Sequence, residues 1–277
     1  MNGIPIAYLG PEGTYSHIVA MEHFKKGCRL FGQSSILDIF YFVSETPNGK
    51  GVIPVENSSG GPIAESLDLL INNNFDISIE ESINLKVKLA LLGKKNRIVK
   101  TIYSHSIPMY HCDKWIRKNL PGVTKNLVAS TAKAAELAAE DKNSAAIASV
   151  NASAIYQLDI LVYPIEQDIS NTTQFFVISK DKPAMEGPNI KTSISAFLNN
   201  KPGSLYDFLE HFKLNKINLS RIISRPIYGK PSEYAFFVDI DGCICDEKVM
   251  KTVNEIKANA CSLKLICSYN ADKTYTL

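Results

Sequence analysis

The sequence predicts an α/β protein of two parts, a larger N-terminal domain built on a parallel or mixed sheet and a smaller βαββαβ domain. Over the first 180 residues, short apolar β-branched runs alternate with segments of helical period. A charged stretch rich in Pro and Gly then marks a linker over 181–190. After the linker, strand and helix patterns follow in the order β, α, β, β, α, β.

Composition places the chain among ordinary globular proteins. Of its 277 residues, 45% are hydrophobic and 21% charged, which excludes disordered and fibrous classes. The net charge of +2 predicts no general attraction to nucleic acid or to an anionic membrane. No apolar run approaches the roughly 18 residues of a membrane helix, and the N-terminus has the pattern of a first strand rather than a signal peptide.

The cysteine pattern predicts buried thiols in a cytoplasmic protein. No C-x-x-C pair and no histidine at zinc-ligand spacing occur, so we expect neither a metal site nor disulfides. Cys243 and Cys245 alternate within a strand-like run and are expected to share one face of it. The six cysteines are Cys28, Cys112, Cys243, Cys245, Cys261 and Cys267.

The first predicted units are strand 4–9 with helix 15–26, strand 30–31 with helix 36–43, and strand 51–55 with a helix after Pro62. A Gly-containing turn ending at Thr14 joins the first strand to its helix, an arrangement that can direct free N–H groups at an anion. Glu56, Asn57 and Ser58 follow the third strand directly. Ligands bind at such strand ends in open α/β sheets.

Further units repeat this order. The predicted strands are 75–79, 85–92, 100–103, 127–129 and 145–148, and the predicted helices are 109–116, 132–140 and 150–158. Polar residues again stand between strand and helix, at Ser104-His105 and at Ser130-Thr131. Each is also a normal helix N-cap, a role that by itself accounts for Ser130. Together with Thr14 and the Glu56–Ser58 cluster, they predict a polar cleft where the strands end.

The segment 168–178 is the centre of the N-terminal domain. Its polar half, with Asn171, Thr172 and Thr173, precedes an apolar strand predicted over 175–178. Taken alone, the polar half is a β-entry turn, because Asn and Thr hydrogen-bond local backbone in turns.

The C-terminal pattern is the ferredoxin-like one. Strand 192–198 precedes a helix marked by Leu205, Phe208, Leu209 and Phe212 at helical spacing. Two strands, 217–227 and 233–240, precede a helix over 249–256 and a last strand over 263–267.

These motifs, in order, resemble those of the prephenate dehydratases over nearly the whole chain. The matching segments are Tyr8-Leu-Gly-Pro-Glu-Gly-Thr14-Tyr-Ser16, Gly51-Val-Ile-Pro-Val-Glu56-Asn57-Ser58, Ser104-His105, Ser130-Thr131-Ala132, Ala145-Ala-Ile-Ala-Ser149 and Asn171-Thr-Thr173-x-Phe175. In the second domain, the segments from Asn200 to Tyr206 and from Asn218 to Pro226 resemble the family's Gly-Ala-Leu and Glu-Ser-Arg-Pro regions.

The resemblance implies a dehydratase domain over 1–180 with two lobes, similar to periplasmic binding proteins, and an ACT regulatory domain over 191–277. Lobe 1 would take about 1–78 and 165–180, and lobe 2 about 79–164. The implied reaction converts prephenate into phenylpyruvate with loss of carbon dioxide and water, and it needs no cofactor and no metal.

The resemblance also implies the site residues. Thr173, Asn57 and Glu56 are expected in catalysis, with Thr173 giving a hydrogen bond or proton to the leaving hydroxyl and Glu56 orienting Asn57. The expected substrate-binding residues are Thr14, Ser16, Ser58, Ser104, His105, Ser130, Thr131, Asn171, Thr172, Gln174 and Phe175.

The regulatory module is expected to pair with a second copy and to bind L-phenylalanine, in a homodimer or homotetramer. The implied effector residues are Pro202, Gly203, Ser204, Leu205, Asn218, Leu219, Ser224 and Arg225. The chain departs from the family pattern at three positions: Gln174 replaces an Arg, Ile107 an amide-bearing neighbour of the histidine, and Ile223 a Glu. Gln174 predicts weaker substrate binding, since a neutral amide replaces a charged fork.

Two alternatives stay open at this point. The first is an enzyme of the same fold acting on arogenate, the amino counterpart of prephenate. The second is a two-lobed amino-acid sensor without catalysis, which Gln174 and Ile107 favour and which Thr173, Asn57 and Ser58 oppose.

Overall fold

The computed structural model describes residues 3–25, 27–72, 74–165, 171–183, 185, 188–230, 232–259 and 262–276. Within them, ten strands form one sheet and five form a second, and helices cover both. The α/β class with a terminal βαββαβ unit is therefore confirmed. Residues 168–170 of the central segment and Cys261 lie outside the described residues.

The elements alternate strand and helix through most of the chain. The strands are β1 (Ile4–Leu9), β2 (Cys28–Gln33), β3 (Lys50–Asn57), β4 (Gly61–Pro62), β5 (Ser78–Val87), β6 (Ala90–Gly93), β7 (Thr101–Ser104), β8 (Thr124–Leu127), β9 (Ser144–Ala148), β10 (Asp159–Val162), β11 (Asn171–Ser179), β12 (Ile190–Phe197), β13 (Leu219–Pro226), β14 (Tyr234–Asp241) and β15 (Ser262–Thr276). The helices are α1 (Tyr15–Phe24), α2 (Ile36–Glu45), α3 (Ala64–Asn72), α4 (Ser106–His111), α5 (Asp113–Asn119), α6 (Thr131–Glu140), α7 (Ala152–Ile155), α8 (Ser204–Leu214) and α9 (Glu247–Asn259).

Two sheets give the N-terminal region its two lobes. The first lobe uses the order β5-β11-β3-β1-β2, and the second lobe the order β10-β6-β9-β7-β8. β1, β2 and β3 are mutually parallel, whereas β11 returns antiparallel between β3 and β5. β5 lies within the stretch expected in lobe 2, yet it pairs with β11 in the sheet of the first lobe.

β5 also corrects the sequence prediction of two strands, over 75–79 and 85–92. A single strand runs through the charged middle of that stretch, and a separate strand, β6, follows. The charges are tolerated because each has a partner. Glu80 accepts a hydrogen bond from Lys50 at 2.7 Å, and Glu81 lies 2.7 Å from the ring nitrogen of His23.

The C-terminal domain joins the first lobe through β15. This strand is antiparallel to β12 over its first half and parallel to β5 over its second half. The predicted last strand over 263–267 was therefore too short, since residues that alternate after Cys267 continue the same strand to Thr276. As a result, one sheet with the order β13-β14-β12-β15-β5-β11-β3-β1-β2 extends through both domains.

Each face of the C-terminal sheet is covered by different elements. On one face, Phe212 of α8 and Val253 of α9 pack against Val238. On the other face, Phe237 and Tyr269 belong to the same apolar cluster as Leu67 of α3. The first lobe and the C-terminal domain therefore share a core. Buried aromatic side chains contribute strongly to packing energy, so this shared core stabilises the contact between the two domains.

Two helical predictions need correction. The single helix predicted over 109–116 is two helices, because Cys112 at φ −101° and ψ 5° ends α4 and precedes α5. The helix predicted over 150–158 is only α7, and an unpredicted strand, β10, follows it. Short segments of this kind carry too few periods for hydrophobic spacing to separate helix from strand.

Asn171, Thr172 and Thr173 are not a turn before a strand. They form the first residues of β11, paired with β5 on one side, and Thr173 pairs with Asn57 of β3 on the other. A central strand satisfies backbone N–H and C=O groups on both edges, which outweighs the local turn preference of Asn and Thr.

The cysteine prediction is wrong for one pair. Cys243 and Cys245 follow β14 in a turn rather than lying within a strand, and they form a disulfide with a Cα–Cα distance of 5.1 Å. Cys28, Cys112 and Cys267 are not part of this disulfide, and the last two are buried.

No helix in the described ranges is both long and apolar enough to cross a membrane. Among the same residues, no three His, Cys, Asp or Glu side chains come together as metal ligands.

Candidate active site

A cleft of about 280 Å³ lies where the two N-terminal lobes meet. The first lobe supplies the ends of β1, β3 and β11 with the start of α1, and the second lobe supplies the residues before α4 and α6. The lining residues are Leu9, Thr14, Tyr15, Ser16, Pro54, Asn57, Ile63, His105, Ile107, Pro108, Ala129, Ser130, Thr131, Asn171, Thr173 and Phe175.

At the centre of the cleft, one amide holds two side chains of β11. The Nδ2 atom of Asn57 donates to Oγ1 of Thr173 at 2.9 Å and to Oδ1 of Asn171 at 2.7 Å. Thr173 and Asn171 are 8% and 4% exposed, so both bonds lie in a largely desolvated setting. Hydrogen bonds are electrostatically stronger there than in water.

The orientation of the Asn57 amide follows from its other contacts. Its Oδ1 accepts hydrogen bonds from the backbone N–H groups of Ser59 at 3.0 Å and Gly60 at 2.9 Å. Backbone N–H groups can only donate, so the amide oxygen must face them and the NH₂ group must face Thr173. Thr173 therefore accepts from Asn57, which leaves the proton of its own hydroxyl for another acceptor.

The start of α1 forms one wall of the cleft. Thr14 caps this ten-residue helix by accepting from the N–H of His17 at 3.3 Å, and its hydroxyl donates to Leu9 O at 2.7 Å. The N–H of Gly13 donates to Nδ1 of His17 at 3.1 Å. Burial lowers the pKa of His17, and Glu12 opposes this only in part, so the ring is held neutral as an acceptor.

The second lobe contributes two further helix starts. Ser130 caps the ten-residue α6 by accepting from Lys133 N at 3.0 Å, and Thr131 is 7% exposed in its first turn. His105 precedes α4, with Nδ1 3.5 Å from Ile107 N. Ser130 thus has its capping role and also lines the cleft, as do Thr131 and His105.

Five expected site residues lie outside this cleft. Ser104 is fully buried and donates to Ile147 O at 2.8 Å. Glu56 and Gln174 contact Arg221 of β13, and Thr172 contributes its backbone to a pair of bonds with Ser58. Ser58 borders a neighbouring cavity of about 360 Å³ with Ile107 and His111. Glu56, Thr172 and Gln174 are strand neighbours of Asn57 or Thr173. Because successive side chains of a strand point to opposite faces, these three point away from the cleft.

A scan against known families matches residues 6–183 to the family model described as prephenate dehydratase. The chain belongs to the prephenate dehydratase family. The match spans both lobes and includes every residue that lines the cleft. Membership makes this protein a lyase, and it agrees with the resemblance that the ordered motifs predicted.

Relatives of this prephenate dehydratase align over almost its whole length. A bifunctional chorismate mutase/prephenate dehydratase of Aquifex aeolicus is 38% identical over 96% of this chain and 73% of that protein. A prephenate dehydratase of Methanocaldococcus jannaschii is 32% identical, over 95% of this chain and 97% of that protein. The structure of a prephenate dehydratase from Arthrobacter aurescens in complex with L-Phe has the same fold, with TM-score 0.86, 24% identity and coverage of 96% and 90%.

Several residues of this prephenate dehydratase cleft were not singled out from the sequence. They are apolar or aromatic: Leu9, Tyr15, Pro54, Ile63, Pro108 and Ala129. Leu9 ends β1, and Tyr15 and Ala129 each adjoin a polar residue that was singled out, whereas Pro54, Ile63 and Pro108 have no such neighbour in the sequence. Their common effect is to make the walls dry around Asn57 and Thr173.

The expected effector residues lie at two places in the C-terminal domain. Gly203, Ser204 and Leu205 follow β12, whereas Asn218 and Leu219 precede or begin β13, next to Asp241 at the far end of β14. Ser224 pairs with Phe236 at the near end. Arg225 is engaged elsewhere, because its Nε and Nη2 each lie 2.7 Å from a carboxylate oxygen of Asp68 on α3.

Proposed function

We propose that the cleft converts prephenate into phenylpyruvate, carbon dioxide and water, with Thr173 acting on the leaving hydroxyl. The prephenate dianion must lose a carboxylate as carbon dioxide, and the electron pair that remains aromatises the ring. The ring hydroxyl then leaves with its bonding electrons and takes up one proton to become water. The catalyst must therefore assist a departing oxygen and hold anions away from solvent.

The observation that carries this proposal is the direction of the Asn57–Thr173 hydrogen bond. Because Oγ1 accepts from the amide, its own O–H group is free to donate to the departing hydroxyl. Donation to Thr173 also polarises the threonine hydroxyl, which is otherwise a weak acid. General acid assistance of this type contributes about 10²–10⁴-fold to a rate.

Helix starts supply the positive potential for the two substrate carboxylates. Among the described lining residues there is no Asp, Glu, Lys or Arg, so no side-chain cation pairs with them. Instead, α1 from one lobe and α6 from the other direct their N-termini at the cleft, beside Thr14 and Ser130. Free N–H groups at helix N-termini favour bound anions.

The same lining favours prephenate over arogenate. Arogenate carries an ammonium group, which needs a carboxylate or several acceptors when it is desolvated. The described lining offers no carboxylate, and the amide oxygen of Asn57 already accepts two backbone N–H groups. An arogenate dehydratase is the second candidate.

The test is direct. Purified protein is mixed with prephenate or arogenate, and phenylpyruvate and phenylalanine are measured as the respective products. We expect phenylpyruvate from prephenate and at least tenfold slower turnover of arogenate, a ratio that corresponds to about 1.4 kcal/mol. A protein without turnover of either substrate would instead support the amino-acid sensor.

Regulation by L-phenylalanine through paired ACT modules is the second part of the proposal. The Gly203 loop follows β12 where that strand lies beside the start of β14, and Asn218 lies beside the end of β14. Seven residues of extended strand separate those ends, roughly 24 Å. A single chain cannot bring both halves around one amino acid, so an effector site of this composition needs a second copy. The complex of the Arthrobacter aurescens protein with L-Phe supports the choice of effector.

We therefore include a homodimer or homotetramer in the proposal. A cytoplasmic location is also part of the proposal. The unoxidised thiols of Cys28 and Cys267 support it, whereas the Cys243–Cys245 disulfide weighs against it.

A further inference from the structure

Arg221 of β13 connects the C-terminal domain to the two strands that bear the proposed catalytic pair. Its Nη2 lies 3.1 Å from Oε2 of Glu56 on β3 and donates to Oε1 of Gln174 on β11. Its Nη1 lies 3.0 Å from Oδ2 of Asp239 on β14. The side chain is 11% exposed, so these contacts are made in a mostly desolvated setting.

The partners of Arg221 are the immediate neighbours of Asn57 and Thr173. In the β3–β11 ladder, Thr173 pairs with Asn57 and Gln174 pairs with Glu56. Since successive side chains of a strand point to opposite faces, the first pair faces the cleft and the second faces Arg221. The guanidinium therefore lies directly across the sheet from the proposed catalytic pair.

A bulge interrupts the β3–β11 ladder beside these two pairs. The β3–β11 register shifts between Gln174 and Phe175, so a bulge separates the Asn57–Thr173 region from the regular ladder. The residue that Phe175 pairs with is Pro54, which has no N–H group to donate. Bulges interrupt ladder hydrogen bonds and redirect side chains, so the spacing of the two strands here depends on other contacts.

Arg221 itself is held by a second set of groups. Asp239 is 2% exposed and accepts a hydrogen bond from Ser193, and the Phe176 ring lies with its centroid 5.8 Å from the guanidinium carbon. Gln174 is held from its other end, because its Nε2 donates to Ser82 Oγ at 2.8 Å. The Arg221 guanidinium therefore connects side chains that are themselves held in place, in contrast to an arginine that is mobile on the surface.

We propose that Arg221 is a positioning residue for the dehydratase reaction. From the C-terminal domain it holds Glu56 and Gln174 side by side, and it thereby fixes the separation of Asn57 and Thr173 across the bulged end of the ladder. The proposal rests on the assignment of Thr173 and Asn57 given above. It gives the C-terminal domain a part in unregulated turnover, in the absence of any effector.

The experiment compares kcat and KM for prephenate among variants of the full chain. Arg221→Met removes the contacts with Glu56 and with Gln174. We expect kcat to fall about tenfold to a hundredfold, which is the effect that a displacement of catalytic groups by about 1 Å can have. KM should change little, because the helix starts that face the carboxylates are not touched. Arg221→Lys keeps the charge without the fork and should restore part of kcat.

A second variant separates positioning from folding. Arg221→Met leaves the Asp239 carboxylate buried without its cation, which destabilises the domain. The double variant Arg221→Met/Asp239→Asn removes that charge. We expect it to fold, as judged by thermal unfolding, and to keep the low kcat.

Asp68→Asn is the matched control. It disrupts a second ion pair between β13 and the first lobe, that of Arg225 with Asp68 of α3, in which neither partner lies on β3 or β11. Its kcat should stay near that of the parent. A folded double variant with parental kcat, or an equal loss of kcat in Asp68→Asn, would overturn the proposal. Thr173→Ala in the same assay tests the underlying assignment separately, since parental turnover there would remove Thr173 whatever Arg221 does.

Discussion

Thr173 and Asn57 occupy paired positions on two antiparallel strands, and the amide of Asn57 donates to the hydroxyl of Thr173 across 2.9 Å. The donor and acceptor roles are fixed by two backbone N–H groups on the far side of the amide. This arrangement makes the threonine hydroxyl a donor toward the cleft, and the predictions for the site depend on it.

Removal of the Thr173 hydroxyl is expected to abolish most of the turnover. Thr173→Ala should lower kcat about 10²–10⁴-fold because the departing oxygen loses its donor. Thr173→Ser keeps the hydroxyl and should retain a larger share of the activity. Phenylpyruvate formation under saturating prephenate measures both. Ser179→Ala, at the other end of β11, is the control and should remain near the parental rate.

Reversal of the Asn57 amide polarity should be nearly as damaging. In Asn57→Asp the carboxylate can only accept, so the Thr173 hydroxyl would turn its proton toward residue 57 and away from the substrate. We expect kcat to fall about a hundredfold, comparable to loss of a general acid. Thermal unfolding should show a folded protein. Parental turnover in this variant would contradict the inferred direction of the bond.

The stability of the α1 end of the cleft should depend on pH through His17. Burial lowers its pKa below 6.5, so in the window at and below that value the unfolded chain binds more protons than the folded one. The contribution is fully present above pH 6.5 and is lost as pH falls through the lowered pKa of the folded state. Urea unfolding between pH 5 and 8 measures it.

His17→Gln supplies the comparison for this measurement. The Gln side chain cannot titrate but can still accept from Gly13. The variant should therefore show a shallower loss of stability toward pH 5 than the parent. Identical slopes would mean that other groups carry the acid sensitivity.

Effector binding should be restored by mixing two defective chains. Leu205→Arg damages one half of the expected site and Asn218→Leu the other half, so neither homodimer should bind L-phenylalanine tightly. A mixed dimer has one site with both defects and one site with neither. Co-expression of the two chains should thus recover a fraction of tight sites by calorimetry. If recovery is absent and the parent binds, the two halves do not meet across chains.

The sequence predicted the parts of the site that local chemistry determines. Thr14 and Ser130 were recognisable as caps at helix starts, and the strand before Asn57 was recognisable from its apolar run. Their meeting in one cleft also followed from the repeated strand–helix order.

Other features depend on contacts between distant residues. Whether Glu56 and Gln174 face the cleft is set by the β3–β11 register and its bulge, which no local pattern reveals. Ser104 matched its motif, yet its hydroxyl is used by a backbone carbonyl of β9. The charged middle of β5 was predicted to separate two strands. The partners that allow one continuous strand, Lys50 and His23, are far away in sequence.

The double pairing of β15 has a consequence for any attempt to separate the halves of this molecule. Cleavage in the linker and removal of the C-terminal domain would leave β5 without β15, its partner on one edge. The unpaired N–H and C=O groups of β5 would then be open to pairing with other chains. A shortened dehydratase of this type should self-associate rather than behave as a free-standing catalyst. The C-terminal strand completes the sheet of the first lobe, so the proposed regulation would act on two domains that share one sheet.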